Sequence, residues 1–124
     1  GLHMQTGEYA QAKLVRVLEG SVLDVAVDLR KYSSTFGKTF TVELTAENHK
    51  QLFIPRGFAH GFVVLSDKAV FFYKCDNFYN KESELGSMYD DPDLKIDWQL
   101  SKDNLILSDK DKKNFYLADI LHRL

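Results

Sequence analysis

Residues 22–29 read Val-Leu-Asp-Val-Ala-Val-Asp-Leu, an alternation that an extended chain sorts onto two faces. Leu23, Val25, Val27 and Leu29 share one face, and Asp24, Ala26 and Asp28 share the other. The same β-branched and aromatic pattern recurs at Lys13–Val17, Thr39–Leu44, Gln51–Ile54, Phe62–Leu65 and Ala69–Cys75. Glu19-Gly20-Ser21, Lys31–Gly37 and Gly57–Gly61 are predicted as turns or loops, and Pro55 stops a strand. About six short strands at regular spacing predict an all-β sandwich or barrel in one domain, residues 1–124. The end of the chain differs. Residues 82–96 look irregular and acidic, broken by Asp90-Asp91-Pro92-Asp93. Ser108 and Asp111 then cap a predicted short helix carrying Phe115, Ala118 and Leu121 at helical spacing.

Charge removes some function classes. Sixteen Lys and Arg against 18 Asp and Glu give a net charge of -2, with no global cationic field for nucleic acid or an acidic membrane. No apolar run approaches the roughly 18 residues that span a bilayer, and nothing at the start reads as a signal peptide. The single cysteine, Cys75, has no partner for a disulfide or a thiol cluster. The expectation is a cytoplasmic protein without a metal. The opening Gly1-Leu2-His3-Met4-Gln5 fits either a vector scar before Met4 or the interior of a longer chain.

Of four histidines, none has paired metal-ligand spacing, and His49 and His122 lie in polar contexts that predict plain surface residues. His60 ends the P-x-G-x-x-H run Pro55–His60, similar to a motif of the cupin barrels; the competing reading is a hydrogen-bonded turn histidine. Lys13 shares its strand face with Val15 and Val17, so its ammonium either snorkels to water or meets an anion from a desolvated position. Tyr73 alternates with Phe71 and is expected to point inward, as a core tyrosine or a site residue. Asp111 suits a helix start whatever else it does.

Together these stretches resemble the dTDP-4-dehydrorhamnose 3,5-epimerases. The resemblance runs through Gly1-Leu2-His3-x-Gln5, Ala10-Gln11-x-Lys13-Leu14-Val15-Arg16 and Gly20-x-Val22-x-Asp24-Val25-Ala26-Val27-Asp28-Leu29-Arg30. It continues in Ser34–Gly37, Leu44-x-Ala46-Glu47-Asn48, the Gln51–Phe62 block, Tyr73-Lys74, Asp90-Asp91-Pro92, Ile96-Asp97-Trp98 and Leu107–Asp111. It implies a cupin-like jelly-roll barrel with a short C-terminal helix. Gly-Leu-His is then native sequence. Family members also carry an N-terminal segment before this point that supplies strands and nucleotide-binding arginines. The chain is expected to be incomplete against the family, and slow or inactive on its own.

The implied reaction converts dTDP-4-dehydro-6-deoxy-D-glucose to dTDP-4-dehydro-L-rhamnose. The C4 ketone acidifies the C3 and C5 protons, so no cofactor is implied. The resemblance gives His3 as the base, Asp111 as its orienting carboxylate, Lys13 as the cation for the enolate and Tyr73 as the acid on the opposite face. It places Gln5, Asp24, His60 and Tyr79 in substrate binding. Met4 stands where many members have an aromatic residue. A homodimer is implied. The alternatives are an epimerase acting at one carbon of a related sugar, and a catalytically impaired nucleotide-sugar-binding remnant; a ketoisomerase on the same barrel lacks its sequence signatures here.

Overall fold

The computed structural model describes residues 1–124. Eight strands run in chain order: β1 (His3–Gln5), β2 (Lys13–Glu19), β3 (Ser21–Asp28), β4 (Thr39–Thr45), β5 (Gln51–Ile54), β6 (Phe58–Val64), β7 (Val70–Cys75) and β8 (Glu84–Gly86). They form two antiparallel sheets, ordered β4-β3-β6-β1-β8 and β5-β2-β7. The only α-helix, α1 (Leu117–Ile120), lies near the C-terminus. No helix is long and apolar enough to cross a membrane.

The alternation within β3 sets the layers. Leu23, Val25 and Val27 enter a cluster with Leu2, Met4, Ala59, Leu85, Leu94, Leu117 and Ile120, so the tail and α1 cover one side of the larger sheet. Val22 and Ala26 point the other way and meet Val15, Val17, Leu44 and Ile54, which brings the smaller sheet onto the opposite side. Each fully buried Val or Leu contributes about 1.5–3 kcal/mol. Because β3 is covered on both faces, its two aspartates are buried as well.

Gly20 closes the β2–β3 turn. Its φ is +79°, and a Cβ there would lie 2.2 Å from the Lys68 carbonyl oxygen, so only glycine fits. At the other end of β3, Asp28 organises residues 30–35. It accepts hydrogen bonds from the Arg30 backbone N–H, the Arg30 guanidinium, Ser33 Oγ and Thr35 Oγ1. Arg30 also lies over the Phe58 ring, 4.9 Å from its centroid.

Several expectations are corrected. β1 and β8 were not predicted; each is three residues long, too short to show a period. The loop expected at Gly57–Gly61 is confined to Pro55–Gly57, because Phe58 already pairs with Asp28 in β6. The predicted C-terminal helix is shorter and turned. Asp111–Lys113 is a single 3-10 turn, α1 starts at Leu117, and Leu117 and Ile120 are buried where Phe115, Ala118 and Leu121 are exposed. Ser108 Oγ accepts from the Asp111 N–H at 3.1 Å, but the N-cap position of the turn is Lys110, which gives no side-chain cap. Tyr73 faces inward but is 57% exposed, since the space it faces is open.

The Asp28 cluster gives a stability test. Hydrogen bonds from Arg30, Ser33 and Thr35 outweigh burial and hold the Asp28 carboxyl far below the usual aspartate range. A carboxyl depressed on folding stabilises above its unfolded pKa and loses that contribution as pH falls towards its folded pKa. Asp28→Asn is expected to cost about 2 kcal/mol at neutral pH. The gap from wild type should close progressively below about pH 4, as followed by urea unfolding across pH.

Candidate active site

The residues of the site come from alternation again. In β1, Leu2 and Met4 enter the outer cluster, which turns His3 and Gln5 to the inner side of the sheet. In β6, Ala59 and Val63 pack outward, leaving His60 and Phe62 inward. From the smaller sheet, β2 presents Lys13 and β7 presents Phe71, Tyr73 and Cys75. The tail closes one side with Ser108, Lys110 and Asp111. The enclosed cavity is about 590 Å³ and open to solvent on one side.

Seven of the eight expected residues line this one space: His3, Gln5, Lys13, His60, Tyr73, Tyr79 and Asp111. Asp24 does not. It is fully buried behind the wall, and its carboxylate holds His60 Nε2 at 2.9 and 3.0 Å. His60 is 8% exposed, stacks on Phe71 at 6.1 Å, and sits opposite His3 on one side and Ala26 on the other. Phe62 and Phe71 stack at 4.2 Å, joining the two sheets at the cavity wall.

His3 Nε2 lies 2.7 Å from Asp111 Oδ1. A carboxylate only accepts, so Nε2 carries the proton and Nδ1 is the lone-pair nitrogen of the neutral ring. Nδ1 is buried and has no hydrogen-bond partner. Burial pushes the His3 pKa below 6.5, helped by the Gly1 amino group, and this outweighs the opposing pull of Asp111 and Glu84. Burial favours the neutral form of Asp111, but hydrogen bonds from the Gly1 amino group and His3 keep its pKa below the usual aspartate value.

Lys13 makes no ion pair with any side chain, and burial lowers its ammonium pKa against the opposing influence of Cys75, Asp24 and Glu84. An unpaired cation in a half-dry wall is a receptor for negative charge on whatever fills the cavity. No group of three or more His, Cys, Asp or Glu side chains is placed to hold a metal ion.

Among the lining residues that were not predicted, one touches His3. Glu84, in β8, lies 3.4 Å from His3 Nδ1, accepts a hydrogen bond from Tyr79 Oη at 2.8 Å, and pairs with Lys110. Burial works to raise its pKa, but hydrogen bonds from Lys110 and Tyr79 hold it below the usual glutamate value. The Glu84-Leu85-Gly86 alternation around a buried Leu85 is the signal that marks it, although three residues carry little weight alone.

The family model described as dTDP-4-dehydrorhamnose 3,5-epimerase matches residues 1–119. A protein of that name from Shigella flexneri is 57% identical over 111 residues, covering 90% of this chain and 60% of its own. The crystal structure of dTDP-4-dehydrorhamnose 3,5-epimerase from Elizabethkingia anophelis NUHP1 is similar at a TM-score of 0.95 and 60% identity, covering 96% of this chain and 65% of that one. The dTDP-6-deoxy-D-glucose-3,5-epimerase of Legionella pneumophila Philadelphia 1, solved in complex with dTDP-4-keto-L-rhamnose, gives a TM-score of 0.90 at 51% identity. That match covers 95% of this chain and 62% of the Legionella protein. The chain therefore spans less than two thirds of the length of these relatives.

Glu84 raises the Tyr79 phenol pKa above 10.0 by accepting its proton in a hydrogen bond. Glu84→Gln is expected to bring the Tyr79 titration back towards 10.0, read by NMR of carbon-labelled tyrosine.

Proposed function

The chain belongs to the dTDP-4-dehydrorhamnose 3,5-epimerase family, and we propose that its cavity epimerises a dTDP-4-keto sugar at the carbons flanking the ketone. The observation that carries this reading is that His3 with its Asp111 partner, Lys13 and Tyr73 line one cavity, from different elements. An imidazole, an unpaired ammonium and a phenol around one space are the groups that a proton transfer beside a ketone needs.

The chemistry divides among them. The C4 carbonyl stabilises the carbanion left when a neighbouring proton departs, as an enolate. His3 acts as the base for that proton, and burial keeps the ring neutral and ready to accept. Asp111 fixes the tautomer and balances the imidazolium that forms. Lys13 meets the developing enolate oxygen, and in a desolvated wall a fixed charge acts more strongly than in water. Tyr73, from the smaller sheet, returns a proton to the opposite face, which inverts the carbon. Gln5, His60 and Tyr79 bind the sugar from the walls, and Asp24 acts by holding His60. The epimerised sugar is the product, and the reaction draws on no cofactor.

The reading extends to assembly and place. The outer face of β5-β2-β7 exposes Leu14, Phe53 and Phe72, an apolar surface that a second copy covers in a homodimer. The chain is read as cytoplasmic, with Cys75 kept as a free thiol.

Incubation with the dTDP-4-keto sugar in deuterium oxide is expected to place deuterium at both C3 and C5, read by NMR and mass spectrometry. Label at one carbon alone makes the chain a single-carbon epimerase, and label at neither makes it a binding remnant. Lys13→Met and Tyr73→Phe should each lower kcat about 100-fold or more. Because the base must be neutral, log kcat/KM should rise with pH and level off, with its midpoint below 6.5. Light scattering should give twice the chain mass; a clean monomer removes the homodimer.

A further inference from the structure

The two members of the His3–Asp111 pair are held very differently. His3 lies in β1, which pairs with β6 on one side and β8 on the other. Asp111 lies in the tail. The main-chain pairing of residues 99–124 with the rest of the chain is confined to a parallel bridge between Ser87 and Phe115, where the Met88 N–H donates to the Phe115 carbonyl at 2.8 Å. The pairs Lys102–Asp90 and Lys110–Glu84 come from exposed lysines, and such pairs hold a backbone loosely.

The firm attachment comes just after Asp111. Asp91 is 2% exposed and forms no ion pair. Its Oδ2 accepts from the Leu117 N–H at 2.6 Å, and its Oδ1 accepts from the Asp93 N–H at 2.8 Å. Between Asp111 and Leu117, the tail backs onto Gly86. A Cβ at Gly86 would lie 2.2 Å from Asn114 Oδ1 and 2.7 Å from Asn114 Cγ, so the Asn114 side chain rests directly on the bare backbone of β8. Gly86 is also the residue paired with His3 across β1 and β8. The tail therefore rests on the strand residue beside the base, and Asp91 holds its main chain there alongside the buried side chains of Leu117 and Ile120.

We propose that Asp91 is a positioning residue: by holding the main chain at Leu117 against β8, it fixes where the Asp111 carboxylate stands relative to His3. This rests on reading that pair as the acid–base machinery, and it adds a residue that never touches the substrate. The mechanism is mechanical. Without the Asp91 carboxylate, the Leu117 N–H loses its partner, the segment from Asp111 to Leu117 lifts from Gly86, and the short Asp111–His3 hydrogen bond lengthens.

The test is an NMR titration of the His3 ring, which needs no turnover. A chain that fails to epimerise therefore still tests Asp91. The groups facing His3 are Asp111 from the tail, Glu84 from β8, His60 from β6 and the Gly1 amino group. Of these groups, only Asp111 is carried by the tail itself. Asp111→Asn sets the full effect, a midpoint at lower pH, because Asp111 favours the protonated ring. Asp91→Ala is expected to move the midpoint at least half of that distance. Leu44→Ala, which opens the core on the other side of the sheet, should lower thermal stability and leave the midpoint in place. Should Asp91→Ala not fold, Asp91→Asn carries the test, since an amide oxygen replaces only one of two acceptors and gives a smaller shift of the same sign. An unmoved midpoint in the folded Asp91 variant overturns the proposal. So does a fixed midpoint in Asp111→Asn, or an equal shift in Leu44→Ala.

Discussion

Strand β3 has no face left to water, and the rest of the molecule is arranged to cover it. Its alternate residues require apolar partners on both sides, which the tail supplies on one side and the smaller sheet on the other. A space between two sheets that close over one strand, yet stay apart further along at β6 and β1, becomes a cavity rather than a core. The residues projecting into it from β1, β6 and β8 are those whose sequence neighbours pack outward. The site is thus the inner register of the same strands whose outer register makes the larger core.

The polar groups of the cavity are graded by depth. Asp24 and His60 lie deepest, bonded to each other and shielded by Phe71. His3, Asp111 and Glu84 form a middle layer with mixed charge, in which burial and neighbours pull each pKa in opposite directions. Tyr73 and Tyr79 are at the open rim. Lys13 is the exception, a desolvated cation without a direct ion-pair partner. Such an imbalance is costly in an empty wall and useful where a negative charge develops during a reaction.

The alternation of β2, β3, β5 and β7 was legible because each is long enough, or apolar enough, to display a period of two. β1 and β8 were hidden by their length, and Glu84 was hidden with β8 inside a stretch that reads as solvated acid. At residues 57–61 the glycines misled. Gly57, with φ of +88°, is a true turn residue, whereas Gly61 sits within β6 close against Leu2 and Trp98. In the tail, helical spacing picked Phe115, Ala118 and Leu121, but tertiary packing buried Leu117 and Ile120 instead. The inward sense of Tyr73 followed from alternation with Phe71. Its exposure did not, because the sequence of one strand does not say how far the opposite sheet stands away.

The hydrogen bond between His3 and Asp111 spans 108 positions of the chain. During synthesis, the imidazole precedes its carboxylate by that whole interval. A nascent chain that had already closed both sheets would still hold an unsteered ring. An ordered pair would then wait on the docking of the segment that carries Asp111.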